Sequence, residues 1–366
     1  MQYIKTKQLK RKTLSSAIGL VTAGLLASSP VMAEGLVLEE VVVTAQKRAE
    51  SAQDVPVAVT AMQGDDLVNQ GIQNFSDLSK VSPSLTITQG ANKNNSPIAL
   101  RGIGTRAFSM SVEPSVAVIV DDVPVARSAQ AFSNLVDIER VEVLRGPQST
   151  LFGKSASAGV INIVTKAPSE EFEGSVSYTK IVDDEDRVSG SVSGKLTDTL
   201  GIRASAYYSD VEGNIDNIST GEKLNGGVTK GGRVKLNWDV SDDLQVSFIG
   251  EYNEADEDCC AGPYSYVEDG ALLGGVLLGY PSSLWLTGLT PSDDNTDVRL
   301  DTDIHSISKD WSGTLKLDYA LGEYTLTSIT GYRLPVTGTG AIHLCRIWIV
   351  PMRHYLLRRL LPVCLF

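Results

Sequence analysis

IERVEVLRGPQSTLFGKSASAGVINIVTK, residues 138–166, is the stretch whose reading decides the fold. Val141 and Val143 alternate with Glu142 before Leu144, which is the period of a strand. Arg145-Gly146-Pro147 stops that strand, because glycine permits a positive φ and proline fixes φ and removes a donor. A run of small residues, 155–159, leads into a second strand over 160–165, with Val160, Ile161, Ile163 and Val164. Two β segments pinched around a glycine turn suit the end of a compact domain. Gly153-Lys154-Ser155 imitates the end of a phosphate-binding loop. That motif needs a glycine where this chain has Gln148, and Gly146 comes two residues too early, so no nucleotide site is expected.

The residues before this stretch read as short strands and helices in mixed order. Val55, Val57 and Val59 alternate, with Pro56 tolerated at an edge. A helix is expected over 65–70 after Gly64, another over 76–81 ending before Pro83, and an extended segment over 85–88. Residues 91–97, ANKNNSP, form a polar loop. A strand over 98–100 meets Arg101-Gly102. The wholly apolar run 116–120 predicts a strand buried on both faces. This mixture makes residues 54–166 a small α/β unit.

After Lys166 the pattern becomes strands of period two. Seven are expected, at 172–182, 187–196, 200–209, 232–240, 244–252, 311–321 and 323–332. Short connections (197–199, 241–243 and 322) alternate with longer ones (183–186, 211–231 and 253–310), the signature of an antiparallel up-and-down sheet. Val176, Tyr178 and Ile181 do not keep one face, so the alternation reads as weak. A soluble β-sandwich is the competing architecture for these strands alone.

The ends of the chain stand apart. Lys5, Lys7, Lys10, Arg11 and Lys12 precede an apolar run too short to span a bilayer, and Val31-Met32-Ala33 offers a cleavage site; residues 1–33 are read as an export signal. The chain carries a formal charge of −12, and the first 33 residues hold none of its acids. That excess of acid disfavours nucleic acid as a partner. Residues 334–366 have neither alternation nor turn signals and read as an anomalous tail, the mark of a frameshift or an assembly error. In the acidic loop 253–310, Tyr264 and Tyr266 are candidates for ligand contact. Cys259-Cys260 in the same loop leave their pairing open.

No enzyme chemistry is expected. His305, His343 and His354 lie outside the α/β unit, and no histidine–cysteine cluster has metal-ligand spacing. Asp121-Asp122 and the acids within 183–186 are neighbours in sequence. On a strand, neighbours face opposite ways and do not converge as an acid/base couple. No catalytic residue, cofactor or metal site is therefore assigned.

The stretch 138–166, together with IALRGIGT at 98–105 and PSVAVIVDDVP at 114–124, resembles in order and spacing the plug domain of TonB-dependent outer-membrane receptors. It departs from the family's form at Ser155-Ala156-Ser157-Ala158. The resemblance implies an α/β plug domain followed by an antiparallel transmembrane β-barrel, incomplete in this chain. The implied domains are a signal peptide over 1–33, a TonB box and linker over 34–53, the plug over 54–166, a partial barrel over 167–333 and the tail. LEEVVVTA at 38–45 favours an extended strand. The resemblance makes Glu39, Glu40, Val41, Val42, Val43, Thr44 and Ala45 the TonB box, a strand added to the edge of TonB; the competing reading is a first strand of the plug sheet. It also places Arg101 and Arg145 at the plug–barrel contact. Their carboxylate partners would lie beyond residue 333, so that in this chain they stay solvated or pair within the plug. The implied function is active uptake of a scarce extracellular ligand such as a ferric siderophore, driven through TonB and its inner-membrane ExbB/ExbD complex, from a bacterial outer membrane. The alternative is an exported β-rich binding protein or adhesin that transports nothing. An odd number of strands cannot close an antiparallel barrel, so the 366-residue product is not expected to insert as a working transporter.

Overall fold

The structure is a computed structural model. It describes residues 42–44, 46–88, 96–105, 112–125, 135–181, 185–258, 261–268, 272–273, 280–281, 286–301, 304–335 and 341–351. Residues 1–33, read as an export signal, and Glu39, Glu40, Val41, Ala45, Cys259, Cys260 and residues 352–366 lie outside them.

The N-terminal part opens with β1 (Val42–Val43) and β2 (Glu50–Ser51), which pair antiparallel. Then come β3 (Ala58–Gln63), α1 (Gly64–Asn69), a 3₁₀ turn (Phe75–Lys80), β4 (Leu85–Ile87), β5 (Ile98–Leu100) and β6 (Ile103–Gly104). β7 (Val116–Val120), β8 (Val123–Pro124), β9 (Ile138–Arg145), α2 (Ser149–Phe152) and β10 (Gly159–Thr165) complete it. Five strands form one mixed sheet in the order β3-β9-β10-β7-β8, with β7 and β10 parallel. The expected helix after Gly64 is present, and the second is a 3₁₀ turn that Asn74 and Asp77 start with a reciprocal capping box. The first strand forms later than Val55, over Ala58–Gln63, after the break at Pro56. Val116, Val118, Val141, Val143, Ile161 and Ile163 lay one face of the sheet on Leu67, Phe75 and Leu78. Burial of each such side chain stabilises by about 1.5–3 kcal/mol.

The second part is one antiparallel sheet of eight strands, each hydrogen-bonded to the next in chain order. They are β11 (Glu173–Ile181), β12 (Glu185–Thr197), β13 (Leu200–Val211), β16 (Gly227–Ser241), β17 (Leu244–Asp258), β21 (His305–Leu321), β22 (Tyr324–Pro335) and β23 (Ala341–Pro351). Short pieces decorate its long-connection rim: β14 (Ile215–Asn217), β15 (Lys223–Leu224), β18 (Leu272–Leu273), β19 (Tyr280–Pro281) and β20 (Asp297–Val298). All seven expected strands are present, several of them longer than read. The eighth is new: part of the stretch read as an anomalous tail pairs antiparallel with β22.

Register shows an alternation that single strands hide. Trp238, Val246 and Leu317 are neighbours across three strands, as are Leu236, Phe248 and Leu315, while Tyr252 faces Trp311. Val234, Trp238, Phe248, Trp311, Leu315 and Tyr319 from this face are exposed. The intervening positions carry Arg203 beside Lys235 and Arg233 beside Glu251. An apolar face of this extent is not left in water by a soluble monomer, and the eight-stranded sheet has no second sheet of like length among the described residues to cover it as a sandwich would. A wall with lipid on one side and polar groups on the other fits the alternation of a membrane barrel. β16 and β17 are 15 residues each, more than the ~9–11 a tilted strand needs to span a bilayer. No described helix is long and apolar enough to cross a membrane.

Candidate functional site

Three features meet where the mixed sheet sits against the polar face of the wall. The first is the N-terminal segment. Val43 is fully buried while Val42 beside it stays exposed. Thr44 follows and is held by Glu142, itself 0% exposed on β9. The Thr44 N–H donates to Glu142 Oε1 at 2.8 Å and its hydroxyl donates at 3.1 Å. Arg140 Nε donates to the same oxygen at 2.8 Å, and Asn162 Nδ2 donates to Oε2 at 3.1 Å. Asn162 faces Glu142 across the β9–β10 ladder. Arg140 also pairs with Glu139. A buried carboxylate persists only when its lone pairs are met, and here four donor bonds meet them.

The second feature is the Asp121–Asp122 turn between β7 and β8. Val120 pairs with Val123, which leaves a two-residue loop. Both aspartates have positive φ, 44° and 70°. A mirror-image turn needs this at both positions and usually takes glycine or asparagine. Two acids there are strained, and such strain persists where surrounding contacts over-determine it. Asp121 accepts from Thr165 N at 3.0 Å and Thr165 Oγ1 at 2.7 Å, and Lys235 Nζ of the wall lies 3.3 Å away. Asp122 lies 3.0 Å from Lys47 Nζ and 3.5 Å from Lys316 Nζ of the wall. Burial alone raises the Asp122 carboxyl, but the ammonium groups of Lys47 and Lys316 outweigh it and hold it below its ordinary value of 3.8. A carboxyl lowered by folding contributes stability that is present above 3.8 and lost as pH falls through its lower folded value. The contact should therefore hold at neutral pH and fail in strong acid. Hydrogen exchange of 116–125, followed against pH in wild type and Asp122→Asn, checks this: the variant should lose protection at neutral pH and show a flatter acid profile.

The third feature is the remaining seam. Arg203 of β13 grips Asp137 with two parallel bonds of 2.6 Å and reaches Glu173 at 2.6 Å. Arg233 donates to Val136 O at 3.1 Å and Arg187 to Gln73 O at 3.1 Å. Gly331 on β22 lies so close to Val123 that a Cβ there would sit 2.8 Å from its side chain. The charges across this seam are acids on the mixed sheet and bases on the wall.

These contacts are separate from the one expected at Arg101 and Arg145, whose wall partners are expected beyond residue 333. Among the described residues Arg145 Nε and Nη2 donate to Ala58 O and Val59 O at 3.4 Å, within the mixed sheet. Arg101 is exposed in a turn with φ 53°. The wall bases were missed, although Arg203, Ser205, Tyr207 and Ser209 alternate with Ile202, Ala204 and Ala206 on β13, a usable signal. Lys154 of the imitation phosphate loop pairs with Glu113. Tyr264 and Tyr266 are exposed near the long-connection rim. There Ile215, Leu224 and Val298 form a small core, so this region is more than solvated loop. His305 lies against Asp256 and Asp258, and no group of metal-binding character occurs among the described residues.

Residues 51–160 match the family model described as TonB-dependent Receptor Plug Domain. The chain is 35% identical over 198 residues to the pesticin receptor of Yersinia pestis, covering 53% of this chain and 29% of that protein. It is 30% identical over 247 residues to the iron-regulated outer membrane virulence protein of Vibrio cholerae, covering 62% of this chain and 36% of the other. Residues 51–160 are a TonB-dependent receptor plug domain. The ferric yersiniabactin uptake receptor FyuA from Yersinia pestis shares the fold with a TM-score of 0.59 at 26% identity, over 76% of this chain and 40% of that one. The mixed sheet is thus the plug, the long sheet is barrel wall, and the chain's place is the outer membrane. The matched relatives are receptors, not enzymes. The chain spans about a third of the length of these curated relatives, 29% and 36% for the two named.

Proposed function

We propose that this chain is the plug and first wall strands of a receptor that takes up a ferric siderophore-like ligand, with TonB and its ExbB/ExbD complex supplying the energy. The observation that carries the reading is the N-terminal segment, with Val43 buried, Val42 exposed and Thr44 bonded directly to the plug sheet. A short strand with one side outward is what a partner's sheet edge can take. The kinds of ligand come from the relatives, one of which is named for ferric yersiniabactin. The plug apices, the rim around Tyr264 and Tyr266, and the outward loops are the surfaces proposed to meet it. Residues 1–33 act in this reading as the export signal, and 39–45 as the TonB box.

The test is a full-length receptor carrying Val42→Pro. Proline removes a main-chain donor and fixes φ, so strand addition fails whatever the side chain's polarity. Energised uptake of labelled ferric siderophore should be lost while surface binding is kept, and Val42→Thr should keep most of both. Uptake that survives Val42→Pro would make Val42–Val43 an ordinary plug strand.

A further inference from the structure

Asp122 is shared between two parts of the molecule, the N-terminal segment and the wall. Lys47 belongs to the N-terminal segment and Lys316 to the wall, and they approach opposite oxygens of the one carboxylate. Their holds differ. Lys47 is nearly buried, lies 3.0 Å from Oδ1 and sits 4.7 Å from the centroid of the Phe152 ring. Lys316 is 3.5 Å from Oδ2 and 3.7 Å from Asp318 on its own strand, so it makes a short bond to neither. Two ammonium groups on one carboxylate repel each other, and each weakens the other's hold.

We propose that Lys47 and Lys316 compete for Asp122, so that docking of residues 42–51 slackens the plug's hold on the wall and withdrawal of that segment tightens it. The turn then acts as an anchor: when the N-terminal segment leaves, Lys316 closes on Asp122 and this corner of the plug stays on the wall. Asp121, held by Thr165 and Lys235, keeps the turn in place throughout. The inference concerns contacts within the chain and stands whether or not Val42 and Val43 are what a partner takes.

Lysine acetylation by an N-hydroxysuccinimide ester, followed by mass spectrometry, reads it on the 366-residue chain in detergent micelles. Lys47→Met should slow labelling of Lys316 several-fold and leave Lys235 unchanged, since that lysine answers to Asp121. Because coupling is reciprocal, Lys316→Met, a change in the wall that leaves plug folding alone, should slow labelling of Lys47. Asp122→Asn should speed labelling of both. If Lys316 labels at the same rate or faster in Lys47→Met with Lys235 unchanged, or Lys47 labels at the same rate or faster in Lys316→Met, the two lysines do not compete and the inference falls.

Discussion

Glu142→Ala is expected to destabilise the plug by about 3 kcal/mol or more and to free the segment that carries Val42. The cost follows from what remains. Arg140, buried and bonded to Glu142 at 2.8 Å, loses a counter-charge, the Thr44 N–H loses its acceptor, and the Asn162 amide keeps only Thr44 Oγ1. Removing one partner of a buried pair costs about 3–5 kcal/mol, because the other charge is left uncompensated. Arg140 keeps Glu139, which places the expectation at the lower end. Glu142→Gln separates charge from hydrogen bonding. It keeps one acceptor oxygen but turns an amide toward Asn162 Nδ2, so it should cost less than alanine and still loosen Thr44. Urea unfolding gives the stability, and amide exchange at 43–51 gives the release. Protection of Thr44 unchanged in both variants would mean that Glu142 does not hold the segment.

Arg203→Ala is expected to have the second-largest effect, about 3 kcal/mol, felt as loosening of the plug from the wall. Asp137 is 8% exposed on its side chain and would keep its charge without the two-pronged grip. Arg203→Lys should rescue only part of the loss, because an ammonium cannot match a carboxylate with two parallel bonds. Amide exchange across 135–145 should rise in the alanine variant, rise less in the lysine variant, and stay flat across β16–β17. Exchange rising equally across wall and plug would point to general unfolding instead of a broken seam.

The local pattern carried most of the strands. β5 and β7 have the bounds read from the sequence, because a short apolar run closed by Arg-Gly or Asp-Asp leaves little choice. β8 and α2 are two and four residues long, too short for any period to show. The two-faced character of the wall was hidden in single strands and became clear through pairing. Val176 and Tyr178 do share the lipid side, and only Ile181 falls on the other. The site was less legible, since it is made of long-range contacts. Thr44 and Glu142 are 98 residues apart, and Lys316 and Asp122 are 194 apart. Asp121 and Asp122, read as strand neighbours facing apart, are turn residues whose positive φ sends one to Thr165 and the other to Lys47. The acidic plug and basic wall at this seam lie apart from Arg101 and Arg145, the two positions singled out for the plug–barrel contact.

We propose that the strand at Val42–Val43, held on the plug through Val43 and Thr44, offers its outer side to TonB. A photo-activated cross-linking residue at position 42 or 43 of the full-length receptor, irradiated in cells with and without TonB, tests it most directly. Position 42 should give an adduct with TonB, absent from cells lacking it, while position 43, buried in the plug, should give only adducts within the receptor. Adducts within the receptor alone from both positions would contradict it.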